Sequence, residues 1–173
     1  MIVDTKYCGM VFGVFFALLG TVAAETHVVV GTKGHRWRYE KTGAQSTEEG
    51  DKASPGKPAG RSLVIKVKNG DNVSFKVETG GFHSVILENA RKELKERIWK
   101  VVDGELAGDE KRLKKFGPDA QKTKHAEKGD LIQIEILNLK KGVENGILFG
   151  CDPHSVFVKD GKLRMLGVIV LAE

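Results

Sequence analysis

Gly150-Cys151-Asp152-Pro153-His154 … Met165-Leu166-Gly167-Val168-Ile169-Val170 is the stretch that decides how this chain is read. It opens with a thiol and, three residues later, an imidazole. It closes with a thioether just ahead of an apolar, β-branched run of strand type. Working outward, Gly146-Ile147-Leu148-Phe149 is an apolar lead into Cys151. Leu131 to Leu137 alternates, with Ile132, Ile134 and Ile136 on one face. Leu63 to Val67 and Val73 to Val77 alternate on either side of Asn69-Gly70-Asp71, the pattern of a β-hairpin. His83-Ser84-Val85-Ile86-Leu87 begins a further strand. His27 to Gly31 and His35 to Tyr39 read as one strand interrupted at Gly31-Thr32-Lys33-Gly34. About seven short strands separated by turn signals predict an all-β sandwich.

Two segments depart from that period. Gln45 to Arg61, rich in Gly, Pro, Ser and charge, predicts an exposed loop. Asn89 suits a helix cap, and Leu94, Ile98 and Val101 follow at helical spacing with Trp99 beside them. From Asp103 to Gly129 the sequence is polar and irregular, broken at Gly117-Pro118. Residues 89–129 are therefore expected to form a helical insertion in a β framework.

At the N-terminus, Lys6 precedes a short apolar run, Met10 to Leu19, and the small residues Val22, Ala23 and Ala24. This is the pattern of a secretory signal peptide over residues 1–24, cleaved before Glu25. The alternative, a membrane anchor, needs ~20 apolar residues and the run is shorter. Residues 25–173 are expected to be one exported, soluble domain, periplasmic in a bacterial cell, without a membrane span. Cys8 leaves with the signal, so Cys151 remains as the single cysteine and Met165 as the single methionine. A lone thiol in an exported chain is either a pairing hazard or a metal ligand. The net charge of +5 is spread through segments that also carry acids, which argues against a nucleic-acid partner. No nucleophile–base pair, phosphate-binding glycine loop or paired-carboxylate motif stands out, so the chain is not expected to be an enzyme.

Two imidazoles, a thiolate and a weak thioether form the donor set of a type 1 copper site. At these residues the chain resembles the cupredoxins, close in pattern to plastocyanin and pseudoazurin. Cys151-Asp152-Pro153-His154 and Met165-Leu166-Gly167 match the family's C-terminal ligand motif, and Gly81-Phe82-His83-Ser84-Val85 resembles its first-ligand segment. The likeness runs from about Leu63 to Leu171. It implies a cupredoxin-like Greek-key β-sandwich in which His83, Cys151, His154 and Met165 hold one copper ion, with Phe149 packing in the core. It also implies one-electron transfer through Cu(I)/Cu(II) cycling, with His154 as the electron port. The partners implied are redox proteins, such as a cytochrome or a copper oxidoreductase, met in short-lived complexes.

Three departures from the family pattern stand out. Ten residues separate His154 from Met165, a longer loop than the family's, and Val156 to Arg164 carries a hairpin signal at Asp160-Gly161. This predicts a β-flap beside the copper or, alternatively, an unstructured insertion; a displaced Met165 would open the axial position. Ser84 stands where many relatives have Asn, and its hydroxyl is expected to bond across to the cysteine loop. The third departure is the insertion at 89–129. Pro153 lacks an N–H for the Cys151 sulfur, which alone would lower the reduction potential. His27, His35 and His125 read as surface residues, with a second metal site around His35 and His125 as the alternative. Trp37 and Trp99 are expected to pack. The alternatives to electron transfer are copper delivery or sensing behind a gating flap, and an open copper site with small-molecule chemistry.

Overall fold

The structure, a computed structural model, describes residues 23–34, 36–40, 47–49, 63–89, 97–107, 120–151 and 165–173. Residues 1–22 of the signal segment, the flap at 156–164, Pro153 and His35 lie outside these residues. Among the described residues there are eleven strands: β1 (Thr26–Gly31), β2 (Trp37–Glu40), β3 (Thr47–Glu49), β4 (Leu63–Val67), β5 (Asn72–Val77), β6 (Ile86–Asn89), β7 (Trp99–Gly104), β8 (Gln121–Lys122), β9 (Gly129–Ile136), β10 (Ile147–Gly150) and β11 (Gly167–Leu171). They form two mixed sheets, ordered β3-β2-β1-β5-β9-β7 and β4-β11-β10-β6-β8. The expected all-β sandwich is what the chain builds.

The alternating residues of the sequence supply the core. Leu63, Ile65 and Val67 of β4, Val73, Phe75 and Val77 of β5, and Ile132, Ile134 and Ile136 of β9 are all buried. At its centre Trp37, Phe75 and Phe149 pack edge-to-face with ring centroids 5.3–5.9 Å apart. Such aromatic pairs each add about 0.5–1.5 kcal/mol beyond the area they bury. Phe149 lies across the backbone of Gly167, its partner on β11, where any Cβ would overlap the ring. Trp37, Trp99 and Phe149 are core residues, as expected.

Three sequence expectations are corrected. The Leu63–Val77 segment is not a hairpin. β4 pairs parallel with β11, and β5 pairs with β1 and β9 in the other sheet. The chain crosses between sheets at residues 68–71 because each arm has a full apolar face, and both faces are covered by pointing them at each other across the core. Second, β1 and β2 are separate antiparallel strands, reversed at Thr32–Arg36, where the Thr32 N–H donates to the Arg36 carbonyl at 3.0 Å. Third, Trp99 to Val102 is strand, not helix. β7 pairs with β9, and Ile98 and Trp99 are buried through that pairing. Residues 90–96, the remainder of the expected helix, lie outside the described ones. Among the described residues the helical content is a single 3₁₀ turn, Val143–Asn145.

His27 is also corrected: it is buried, not on the surface. Its Nδ1 lies 2.8 Å from the Tyr39 hydroxyl and its Nε2 lies 3.1 Å from Asp71 Oδ2. Asp71 sits at the sheet crossing. Its Oδ2 also accepts the Lys68 N–H at 2.7 Å, and its Oδ1 accepts the Glu25 N–H at 3.0 Å. Burial works to raise the Asp71 pKa, but these two backbone donors and His27 outweigh it, so the carboxyl lies below its ordinary value of 3.8.

A depressed carboxyl pKa stabilises the fold above the unfolded value, and that stability is lost as pH falls through the folded value. Asp71→Asn should therefore cost about 1–3 kcal/mol at neutral pH, since charge-assisted bonds are lost at a buried group. In urea denaturation the gap from the parent protein should be constant between about pH 5 and pH 7 and narrow below about pH 4. A gap that does not change with acid would contradict this assignment.

Candidate metal centre

Neighbouring strands bring two of the sequence-predicted ligands, His83 and Cys151, together at one end of the sandwich. β6, β10 and β11 lie side by side. On β10, Gly150 pairs with Ile86 of β6, and Phe149 pairs with Gly167 of β11. Extending both registers by one or two residues sets Cys151 opposite Val85 on one side and Met165 on the other. His83 then lies just beyond Val85, held to Ala126 by two backbone hydrogen bonds of 3.0 and 2.8 Å.

The His83 ring is fully buried, and its orientation is fixed. Nε2 lies 2.7 Å from the Thr32 carbonyl oxygen. A carbonyl only accepts, so Nε2 carries the proton and donates it. In the neutral ring Nδ1 is then left with its lone pair, and it faces Cys151 Sγ at 3.4 Å. Cys151 is likewise fully buried. This is the arrangement of a ligating histidine whose other nitrogen is anchored to the backbone, with the tautomer set by the anchor.

Glycines make room for the ring. A Cβ on Gly31 would lie 2.8 Å from His83 Cδ2 and 3.2 Å from Trp37 Cζ3, and one on Gly81 would lie 3.1 Å from His83 Cδ2. Gly31 is the last residue of β1, so the strand that supplies the Thr32 anchor also supplies the space beside it. Trp37, 6.0 Å from the His83 ring by centroids, closes the inner side.

Met165 is buried, and its backbone is in the left-handed region at φ 54. A non-glycine residue there carries strain of order 1–3 kcal/mol and persists only where its surroundings hold it. The Trp37 indole N–H supplies one such hold, donating to the Met165 carbonyl at 2.8 Å. The bend it stabilises turns the chain into β11.

His83 and Cys151 are thus brought into contact, and Met165 is buried two residues ahead of β11. His154 lies outside the described residues. Among the described residues no group of three His, Cys, Asp or Glu side chains gathers. Ser84 Oγ is buried and makes no hydrogen bond among the described residues, so the expected bond to the cysteine loop is not made there. His125 stacks on exposed Phe82 with ring centroids 4.9 Å apart. The Thr32 carbonyl, Gly31, Gly81 and the Trp37 indole are site elements that the sequence reading missed. The available signal was Gly31-Thr32-Lys33-Gly34, read as an interruption rather than as the wall of a site.

The donor chemistry fits copper: one imidazole lone pair and one thiol, buried and facing each other, are a borderline and a soft ligand at contact distance. Comparison with solved structures finds these similarities. The Cu(I) form of a single-substitution mutant of amicyanin is 16% identical, over 88% of this chain and 87% of that one, with a TM-score of 0.40. A reduced amicyanin mutant is 17% identical, over 66% and 73%, with a TM-score of 0.36. Auracyanin A, a "blue" copper protein from the green thermophilic photosynthetic bacterium Chloroflexus aurantiacus, is 13% identical, over 87% and 100%, with a TM-score of 0.36. No protein-family model and no curated protein matches the chain.

Two substitutions test the geometry without metal. Gly31→Ala should push the His83 ring off the Thr32 carbonyl and cost about 1–3 kcal/mol by overpacking. The Cys151 thiol, freed from Nδ1, should then react measurably faster with a thiol reagent; unchanged reactivity would count against the contact. Trp37→Phe keeps an aromatic side chain but removes the donor to Met165 and part of the indole's packing, and should cost at least about 1–2 kcal/mol in denaturant unfolding. A cost within a few tenths of a kcal/mol would mean that the bend does not need the indole.

Proposed function

We propose that this chain is a type 1 copper protein that carries single electrons between redox partners, with His83, Cys151, His154 and Met165 as the ligand set. The carrying observation is the buried His83 Nδ1 facing Cys151 Sγ at 3.4 Å while Nε2 is committed to the Thr32 carbonyl. That commitment fixes the tautomer and aims the Nδ1 lone pair at the thiol. When copper is bound, the chemistry such a site supplies is one-electron exchange between Cu(I) and Cu(II). The chain's own contribution is rigidity. The Thr32 anchor, Gly31, Gly81 and the Trp37–Phe75–Phe149 cluster leave the ring no room to turn. Ligands that cannot move between oxidation states keep reorganisation small, as an electron carrier needs. His154, on the segment after Cys151, is the candidate port. The partners fitting this reading are exported redox proteins met transiently, after cleavage of the leader before Glu25. No helix among the described residues is long and apolar enough to cross a membrane.

The test is to add Cu(II) to the purified protein and record its visible spectrum and voltammogram. An intense thiolate-to-copper absorption with a reversible one-electron wave is expected, abolished outright in Cys151→Ser. Met165→Leu should shift the potential, and an unchanged wave would remove Met165 from the ligand set. Reduction of Cu(II) followed by release of the ion would overturn the electron-carrier reading and fit a delivery role instead.

A further inference from the structure

The second buried polar cluster lies at the opposite end of β1 from the metal centre. The Glu25 nitrogen, immediately before β1, is 3.0 Å from Asp71 Oδ1. The Glu25 carbonyl accepts from Asn72 N–H at 2.8 Å, and Thr26 pairs with Asn72 as the parallel β1–β5 ladder begins. The nitrogen is therefore held in place from its own residue onward, independently of what precedes it. Asp71 is a poor candidate for a solvent-facing acid. It is 5% exposed, and its other oxygen is bonded to the Lys68 N–H and to His27, which reaches Tyr39. The sequence independently places a leader-cleavage boundary, Val22-Ala23-Ala24, at this same nitrogen.

We propose that cleavage of the Ala24–Glu25 bond turns the Glu25 amide into an α-ammonium that pairs with Asp71, so that the Asp71–His27–Tyr39 cluster is a receptor for the processed N-terminus. The chemistry is hydrolysis by a peptidase that accepts small residues before the scissile bond. Water breaks the C–N bond, its oxygen goes to the Ala24 carbonyl carbon, and the Glu25 nitrogen leaves as an amine. That amine takes up a proton from solvent at neutral pH. A neutral N–H donor is replaced by a unit positive charge beside a carboxylate that has no other full cation within contact among the described residues, apart from His27 when it is protonated. The remaining charged groups nearby are screened or occupied. The side chains of Glu25 and Lys68 are exposed, and Glu135, opposite Asn72 on β9, is paired with Lys100 at 2.8 Å. The proposal rests on leader removal at this bond and is independent of the copper reading.

The pairing raises the α-amino pKa above its unfolded value of about 7.7–8.0. Its stabilisation is therefore complete below that value and is lost as pH rises through the raised one. The experiment first determines the N-terminus of protein exported from the full-length precursor by mass spectrometry; Glu25 is expected, and any other first residue overturns the proposal. The protein beginning at Glu25 is then melted from pH 6 to 11 beside a form extended by Ala24, which displaces the charge from Asp71. At pH 7 the Glu25 form should melt about 2–4 °C higher, and the difference should vanish as pH rises past the α-amino pKa. Equal melting temperatures at all pH values, or a difference that does not change with pH, would refute the ion pair. Asp71→Asn in both forms should abolish the difference. Should that variant fail to fold, the titration of the α-amine followed by its acetylation rate gives the same answer. An ordinary α-amine titration would overturn the proposal.

Discussion

The structure depends on a change of sheet at residues 68–71, and a single carboxylate stabilises that change. β4 and β5 carry apolar faces of the same kind, and a tight turn between them would have left one pair of strands covering nothing. Crossing from one sheet to the other lets the two faces cover each other, but it leaves the backbone at the corner with donors that no ladder satisfies. Asp71 takes the N–H of Lys68 from the corner and the N–H of Glu25 from the start of β1, and it meets His27 from within β1. Through His27 and Tyr39 the tie extends to β2. Three chain segments are thus referred to one buried acid.

β1 transmits that reference across the sandwich. It runs parallel to β5 from Thr26 beside Asn72 to Gly31 beside Val77, six residues or roughly 20 Å at strand rise. At its far end Gly31 and Thr32 form the wall and the anchor of the His83 ring. The position of the imidazole is therefore set by a strand that carries none of the proposed ligands. A copper reading confined to the four ligands misses this strand, although the tautomer of His83 is decided there.

What the sequence made legible was local. Alternation at Ile132–Ile136 and Ile147–Phe149 marks strands because one face of each is buried, and the cysteine motif stands out because its residue types are rare in this chain. What stayed hidden was partnership. Nothing in Leu63 to Val77 distinguishes a hairpin from a sheet crossing, because the same alternation serves both; the difference lies in β1, β9 and β11, far away in sequence. Leu94, Ile98 and Val101 have helical spacing, yet Ile98 and Trp99 are buried by pairing with β9, so a tertiary partner overrode the local period. His27 read as a surface histidine because Tyr39 and Asp71, its partners, are 12 and 44 residues distant. The His83–Cys151 contact was legible only through a motif, since a separation of 68 residues carries no local signal.

The parallel pairing of β4 with β11 imposes an order of assembly. β4 ends at Val67, while its described partner begins at Gly167, so β4 waits for a segment made much later in synthesis. Loop closures this long slow folding, in the manner of topologies dominated by non-local contacts. Cys151 directly follows β10 and Met165 lies just ahead of β11, and Cys151 meets His83 once β10 has docked on β6. Until then the thiol of a nascent or refolding chain is open to oxidation or to capture by another thiol. β10 and β11 are therefore a kinetic bottleneck for the site as well as for the fold, and deleting them would remove both together.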